Sequence, residues 1–195
     1  MKLPKQIRSE RLILKGITTP SFKLATKLCE TVLCSKDTLM EWLQPLGKIC
    51  VPEDEFPFLL DCQKNWKAGT EFHYLITEPP KKEILGVVGM FSVSDEKKSA
   101  EIGYWLSNEA VGYGYMQEAV HVLEDVAFQK GINRIVIRND VKNLRSVHVA
   151  ERCGYFLEGV MRQDKWDVYH KRWRNTNIFS KLKSDWEKQK KRRKS

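Results

Sequence analysis

The sequence predicts an α+β fold, a mixed and largely antiparallel sheet with helices on both faces, and three observations carry that expectation. Strand-like stretches at Phe72 to Thr77, Glu83 to Ser92 and Ser99 to Leu106 follow one another with only short polar turns between them, the pattern of an antiparallel meander. Helical patterns lie before and after the meander. Its third strand runs through a turn with two glycines directly into a helix, and a further strand follows that helix.

Taken in order, Arg11 to Lys15 gives a first short strand. Ser21 to Leu39 is helical in pattern, with Phe22, Ala25, Leu28, Val32 and Leu33 on one side, and Met40 to Leu46 stops at Pro45. Pro52 to Trp66 reads as a second helix, with proline at its start, Gly69 past its end, and Phe58, Leu59, Cys62 and Trp66 inward. Pro79 to Lys82 turns the chain into the long strand of the meander. After the glycine turn, Met116, Ala119, Val120, Leu123, Val126 and Ala127 recur at helical spacing, and Gly131 stands where a C-terminal cap belongs. Asn133 to Asn139 is a strand. Asn143 has the side chain of an N-cap for Leu144 to Cys153, with Gly154 as the stop. Phe156 to Met161 and Trp173 to Leu182 supply the last two strands.

A chain of 195 residues suits one domain, here residues 1–183 followed by a basic tail at 184–195. No run of 18 apolar residues appears and the N-terminus lacks an apolar signal core, so the expectation is a cytoplasmic chain with no membrane partner. The five cysteines are odd in number and form no C-x-x-C pair. With four scattered histidines they offer no metal spacing, and the reading is of buried thiols in a reducing compartment. Residues 181–195 carry +6 of the net charge of +9, so basicity belongs to the tail rather than to a face of the fold. The run Lys188 to Lys194 suits a weak contact with ribosomal or other RNA, or else a solvated, frayed end.

The glycine turn is the informative junction. Amides at a helix start lack intrahelical partners and sit at the positive end of the dipole, while Gly112 and Gly114 let that backbone approach a ligand closely. Such a turn suits a phosphate or pyrophosphate. The string G-x-x-x-x-G-K-[ST] of a nucleoside-triphosphate loop is absent, and Gln117 stands where a dinucleotide fold requires a third glycine. Tight-turn packing is the alternative reading of the same glycines.

Three strings, "AEIGYWL" (100–106), "GYGYMQEAV" (112–120) and "NLRSVHVAERCGYFLEGVMR" (143–162), together resemble the GNAT superfamily, the GCN5-related N-acetyltransferases. Within it they are similar to the Rim type, which acetylates the N-termini of ribosomal proteins. The resemblance extends loosely from "RSERLIL" (8–14) to "WRNTNIFSKL" (173–182). It implies that acetyl-CoA, the cosubstrate, lies where strands 101–106 and 133–139 splay apart. Its pantetheine would pair with backbone near Trp105 and Leu106, and its pyrophosphate would sit on the amides of Gly112, Tyr113, Gly114, Tyr115 and Met116. The superfamily's Gln or Arg ahead of the glycines is Glu109 here.

Acetyl transfer requires a neutral amine, a polarised carbonyl and a stabilised thiolate. An α-amine has a pKa of ~8 against ~10.4 for a lysine, so a protein N-terminus needs only a modest base. The tyrosine acid of many superfamily members is replaced by Ala150, and the Rim-type pattern points instead to Ser146 as donor to the thiolate, with Asn143 contacting CoA. For the base the resemblance offers Glu101, with Asp164 second and Lys165 at the aligned place; His148 and His73 are further candidates. The segment around Trp42 and the loop 164–172 would wall the acceptor pocket, whereas Trp42, Trp66 and Trp166 also read as packing residues.

The acceptor implied is a protein N-terminal α-amine. A small amine is the alternative, for which Glu53, Asp54 and Glu55 offer an acidic cluster, and a non-catalytic acyl-CoA-binding or RNA-associated protein is the third reading. The resemblance implies a monomer or a homodimer, and nothing in the sequence decides between them.

Overall fold

The computed structural model describes residues 1–43, 46, 48, 49, 51–81 and 83–192. Pro45, Cys50, Lys82 and the end of the basic run, Arg193 and Lys194, lie outside the described residues. Among the described residues eight strands form one sheet in the order β1-β2-β3-β4-β5-β6-β8-β7. They are β1 (Gln6–Arg8), β2 (Ile13–Gly16), β3 (Phe72–Thr77), β4 (Gly86–Ser94), β5 (Ser99–Leu106), β6 (Arg134–Asp140), β7 (Phe156–Asp167) and β8 (Arg172–Leu182). Every neighbouring pair is antiparallel except β5–β6, which is parallel, so the sheet is mixed and the α+β expectation holds.

Strand alternation divides the core in two. Phe72, Tyr74, Ile76, Val88, Met90, Ala100 and Ile102 point to one face, where α4 (Tyr115–Gln129) buries Met116, Ala119, Val120, Leu123 and Ala127 against them. Leu75 and Val87 point to the other, where α1 (Phe22–Leu33) and α3 (Pro52–Ala68) bring Ala25, Leu28, Leu59 and Cys62. Trp105 of β5 packs into this second side.

The single helix expected over 21–39 is two. Ser21 caps α1 through its Oγ, which accepts from the Leu24 N–H at 3.2 Å. The helix ends at Cys34, and α2 (Lys36–Trp42) follows Ser35. Ser35 is buried and its Oγ accepts from the Asn108 N–H at 2.9 Å, a long-range contact that local periodicity does not report. The second helix starts at Pro52 as expected and ends on Gly69 at φ +75°. Strand β1 was not expected from the sequence, and β7 runs on to Asp167 through an irregularity between Met161 and Lys165.

The region read as a solvated basic end is helical through Arg192: α6 spans Lys183–Arg192. Trp186 anchors it, stacking on Phe128 at 5.5 Å between ring centroids and donating its indole N–H to Asp125. Beneath it Lys181 is fully buried, its Nζ 2.6 Å from Glu124 Oε1 and 2.8 Å from the Cys153 carbonyl. No helix among the described residues is long and apolar enough to cross a membrane.

Candidate active site

The parallel register of β5 and β6 stops at Glu101 opposite Val136, although β5 continues to Leu106 and β6 to Asp140. Beyond that point the strands part, and the β5 backbone from Ile102 onward is paired only on its β4 side. A divided pair leaves N–H and C=O groups that must find partners elsewhere, so the gap is suited to an extended ligand with amides of its own. Trp105 and Leu106 sit in this unpaired stretch, opposite Val87 and Gly86 of β4.

At the mouth of the gap the glycine turn opens α4. Gly112 has φ +96° and Gly114, the N-cap, φ +77°, conformations that L side chains rarely adopt. A Cβ built on Gly112 would meet nothing within 4 Å, and one on Gly114 only the tip of Arg11 at 3.7 Å. The turn is thus an open cradle lined by backbone, ahead of first-turn amides without intrahelical acceptors. These residues fit a phosphate-bearing group such as the pyrophosphate of CoA.

The turn is held from behind. Arg11 donates to the Tyr113 carbonyl at 3.0 Å and to Glu118 Oε2 at 2.8 Å, and its guanidinium lies 4.9 Å from the Tyr115 ring centre. Burial pushes the Glu118 carboxyl up, but donation from Ser9 and Arg11 outweighs it and holds the group below its ordinary value. Tyr113 is exposed and stacks on Tyr115, whose hydroxyl donates to Glu78 at 2.6 Å. Glu109 is exposed in a short 3₁₀ turn, Asn108–Ala110.

Helix α5 (Leu144–Arg152) supplies the other side chains. Asn143 is its N-cap, with Oδ1 accepting from the Ser146 N–H at 3.1 Å. Ser146 faces β5, where its Oγ lies 3.1 Å from the Tyr104 hydroxyl, which also reaches the Ser146 carbonyl at 3.3 Å. Burial raises the Tyr104 pKa, and the Ser146 contact only partly offsets this, so Tyr104 stays a neutral hydroxyl at physiological pH. Tyr104 was missed in the sequence; its place in a strand that alternates toward α5 is the signal that could have found it. Asn139, in the parted end of β6, is buried with Nδ2 unpartnered among the described residues, while its Oδ1 accepts from Asn177.

The opposite face of the sheet carries the two candidate carboxylates. Glu101 pairs with Arg138 of β6 at 3.4 Å where the strands begin to part. Asp164 accepts from the Thr176 hydroxyl at 2.8 Å, and Lys165 is exposed. Arg174 of β8 joins Asp167 of β7, the Glu41 carbonyl and the Trp42 ring, so the Trp42 segment and the 164–172 hairpin do meet. The acidic cluster at the start of α3 disperses: Glu53 is exposed, Asp54 accepts from the Val51 N–H at 3.0 Å, and Glu55 alone is buried. Burial, then the charge of Asp54, pushes the Glu55 carboxyl up to about 7. His148 is exposed, and His73 is buried against Glu71 at 3.2 Å with its pKa lowered by burial. Trp66 is a packing residue over Phe72 and Tyr74, whereas Trp166 is half exposed against Trp173. Among the described residues no group of three or more His, Cys, Asp or Glu could hold a metal ion.

A parted β5–β6 pair with a glycine turn at its mouth forms an open site for an extended, phosphate-bearing ligand. The chain belongs to the GNAT acetyltransferase family, whose domain model matches residues 11–155. It is 33% identical over 103 residues to the ribosomal-protein-serine acetyltransferase of Escherichia coli K12, covering 51% of this chain and 55% of that protein. The chain spans little more than half the length of the curated relatives it matches first. Among solved structures, the Microcin C7 self-immunity acetyltransferase MccE in complex with acetyl-CoA and AMP superimposes with a TM-score of 0.82 at 25% identity, over 92% of this chain and 97% of that one. The ribosomal L7/L12 α-N-protein acetyltransferase RimL in complex with coenzyme A gives a TM-score of 0.82 at 26% identity, over 91% and 97%.

Proposed function

We propose that this protein transfers the acetyl group of acetyl-CoA directly to the α-amine of a protein N-terminus, ribosomal proteins being the class its relatives suggest. The observation that carries the reading is the Ser146 hydroxyl, set on α5 against β5, beside a parted strand pair whose mouth is the open Gly112–Gly114 cradle. Backbone from Gly112 to Met116 holds the pyrophosphate, the free edge of β5 at Trp105 and Leu106 takes the pantetheine amides, and Asn143 and Ser146 line the thioester end. Acetyl-CoA supplies an activated acyl carbon: the neutral amine nitrogen bonds to it, the C–S bond breaks with its electron pair leaving on sulfur, and the nitrogen gives up one proton. Ser146 donates a hydrogen bond to the departing thiolate, with Tyr104 aligning its hydroxyl, and the sulfur takes its proton from solvent. The amine's proton passes to a carboxylate of the opposite face, for which the resemblance offers Glu101 and Asp164; each already has a partner, in Arg138 and Thr176.

The test is CoA-thiol release from acetyl-CoA against peptides with free Ser or Ala N-termini and a panel of polyamines, amino sugars and amino acids. Selective turnover of the peptides is expected. Turnover of small amines alone would transfer the function to that alternative. Acetyl-CoA binding with no turnover of any amine would leave a non-catalytic acyl-CoA-binding protein. Loss of RNA binding on removal of residues 184–195, with transfer intact, would give the basic helix a separate role.

A further inference from the structure

Arg174 makes more connections than any transfer chemistry requires of it. Its Nε donates to Asp167 Oδ2 at 2.6 Å, and Nη2 lies against the same carboxylate. The same Nη2 donates to the Glu41 carbonyl, one of the last-turn carbonyls of α2 that has no intrahelical donor. The guanidinium lies 5.5 Å from the Trp42 ring centre, and Nε is 3.7 Å from Asp140 Oδ2 at the end of β6. Asp140 in turn accepts from the Lys142 N–H at 2.8 Å, immediately ahead of Asn143 and Ser146. Asp167 has no exposed surface and fixes the hairpin tip by accepting from the Tyr169 and His170 N–H groups at 3.1 and 3.0 Å. Burial works to raise its pKa, but donation from His170 and Arg174 prevails and keeps it well below the usual carboxylate range, so it is an anion at every physiological pH.

Only a planar, five-donor cation can serve a carboxylate, a helix-end carbonyl and an aromatic face at once. We propose that Arg174 is the positioning residue of the acceptor site: it locks the β7–β8 hairpin to the end of α2 and ties both to the parted strand β6, thereby setting the pocket that selects the amine. This rests on the reading of the chain as an amine acetyltransferase with its acceptor on this face. The family model ends at residue 155, short of Arg174 and the hairpin.

Arg174→Lys keeps the charge beside Asp167 and gives up the fork and the ring contact; Trp42→Phe gives up part of the ring contact alone. On whichever amine the wild type acetylates, Arg174→Lys should raise the acceptor KM about tenfold, with kcat and the acetyl-CoA Kd within twofold, and Trp42→Phe should show the same split more weakly. Equal losses in acceptor KM and acetyl-CoA Kd, or no change in either, would overturn the proposal. A wild type active only on small amines defeats the peptide reading but leaves this comparison in place. Hydrogen exchange gives a second readout that needs no acceptor. Arg174→Lys should loosen residues 36–42 and 167–172 together while α4 and β5 keep their protection, and loosening of one segment without the other sinks the idea.

Discussion

The face of the sheet under α4 and the face under α1 to α3 are built from the same strands by parity, yet they are held by different means. Under α4 the side chains are mostly aliphatic and aromatic, and a buried ion pair, Lys181 with Glu124, sits away from the strand gap. The glycine cradle on that side is assembled from residues close in sequence, 112 to 116, braced by Arg11. On the other face the apolar clusters are smaller, and charge does the joining: Glu101 to Arg138, Asp167 to Arg174, Arg174 to Glu41. The glycine turn is itself encoded locally, although Ser9 and Arg11 brace it from afar through Glu118. The other face is tied by polar contacts between segments far apart in sequence, and it is there that we propose selectivity for the acceptor lies.

Lys181→Met should give the largest change and should fall on the scaffold alone. Removing one partner leaves Glu124 buried without its cation, a loss of about 3–5 kcal/mol, toward the low end because His121 Nδ1 lies 3.0 Å from the same carboxylate. Urea denaturation should show it, while the acceptor KM stays put; a stability change under 1 kcal/mol would mean that the pair contributes little. Glu55→Gln probes the other face with the opposite sign. Because burial lifts the Glu55 pKa from 4.5 to about 7, the folded protein holds that proton more tightly than the unfolded chain does. The stability this contributes is complete below pH 4.5 and is lost as pH rises through 7, by up to about 3 kcal/mol. Glu55→Gln escapes that loss, so its advantage over the wild type in melting temperature should grow from pH 5 to pH 8. An offset that stays flat with pH would show that the carboxylate is solvated or paired.

The same division explains what could be read from the sequence. Elements whose signals lie within a few residues were legible: the meander, the glycine turn at φ +96° and +77°, the Asn143 cap, and Ser146 on the helix it begins. The break between α1 and α2 was not, because it depends on Ser35 reaching an amide 73 residues away. Nor was Arg174, whose partner at Glu41 is 133 residues distant and whose role comes from a crossing no periodicity encodes. Glu53, Asp54 and Glu55 looked like one acidic patch because neighbours in sequence share a charge, but a helix turns each about 100° from the next and sends them to different surroundings.

Two smaller substitutions sharpen the account of the α4–α5 face itself. Ser146→Ala removes the hydroxyl assigned to the departing sulfur but leaves the backbone N–H that Asn143 caps. We expect kcat to fall about 100-fold, roughly 2.7 kcal/mol, with the acetyl-CoA Kd within twofold. Tyr104→Phe should act through Ser146 and therefore less. Tyr104 lies 3.1 Å from the Ser146 Oγ and 3.3 Å from its carbonyl, so its loss frees the serine rotor without removing the donor. A neutral hydrogen bond of this kind contributes about 1 kcal/mol, which sets a fall in kcat of about fivefold. In the Ser146→Ala background the tyrosine has no donor to align, and the second substitution should change kcat by less than twofold. A Tyr104→Phe effect of the same size in both backgrounds would separate the two hydroxyls and leave Ser146 to act alone.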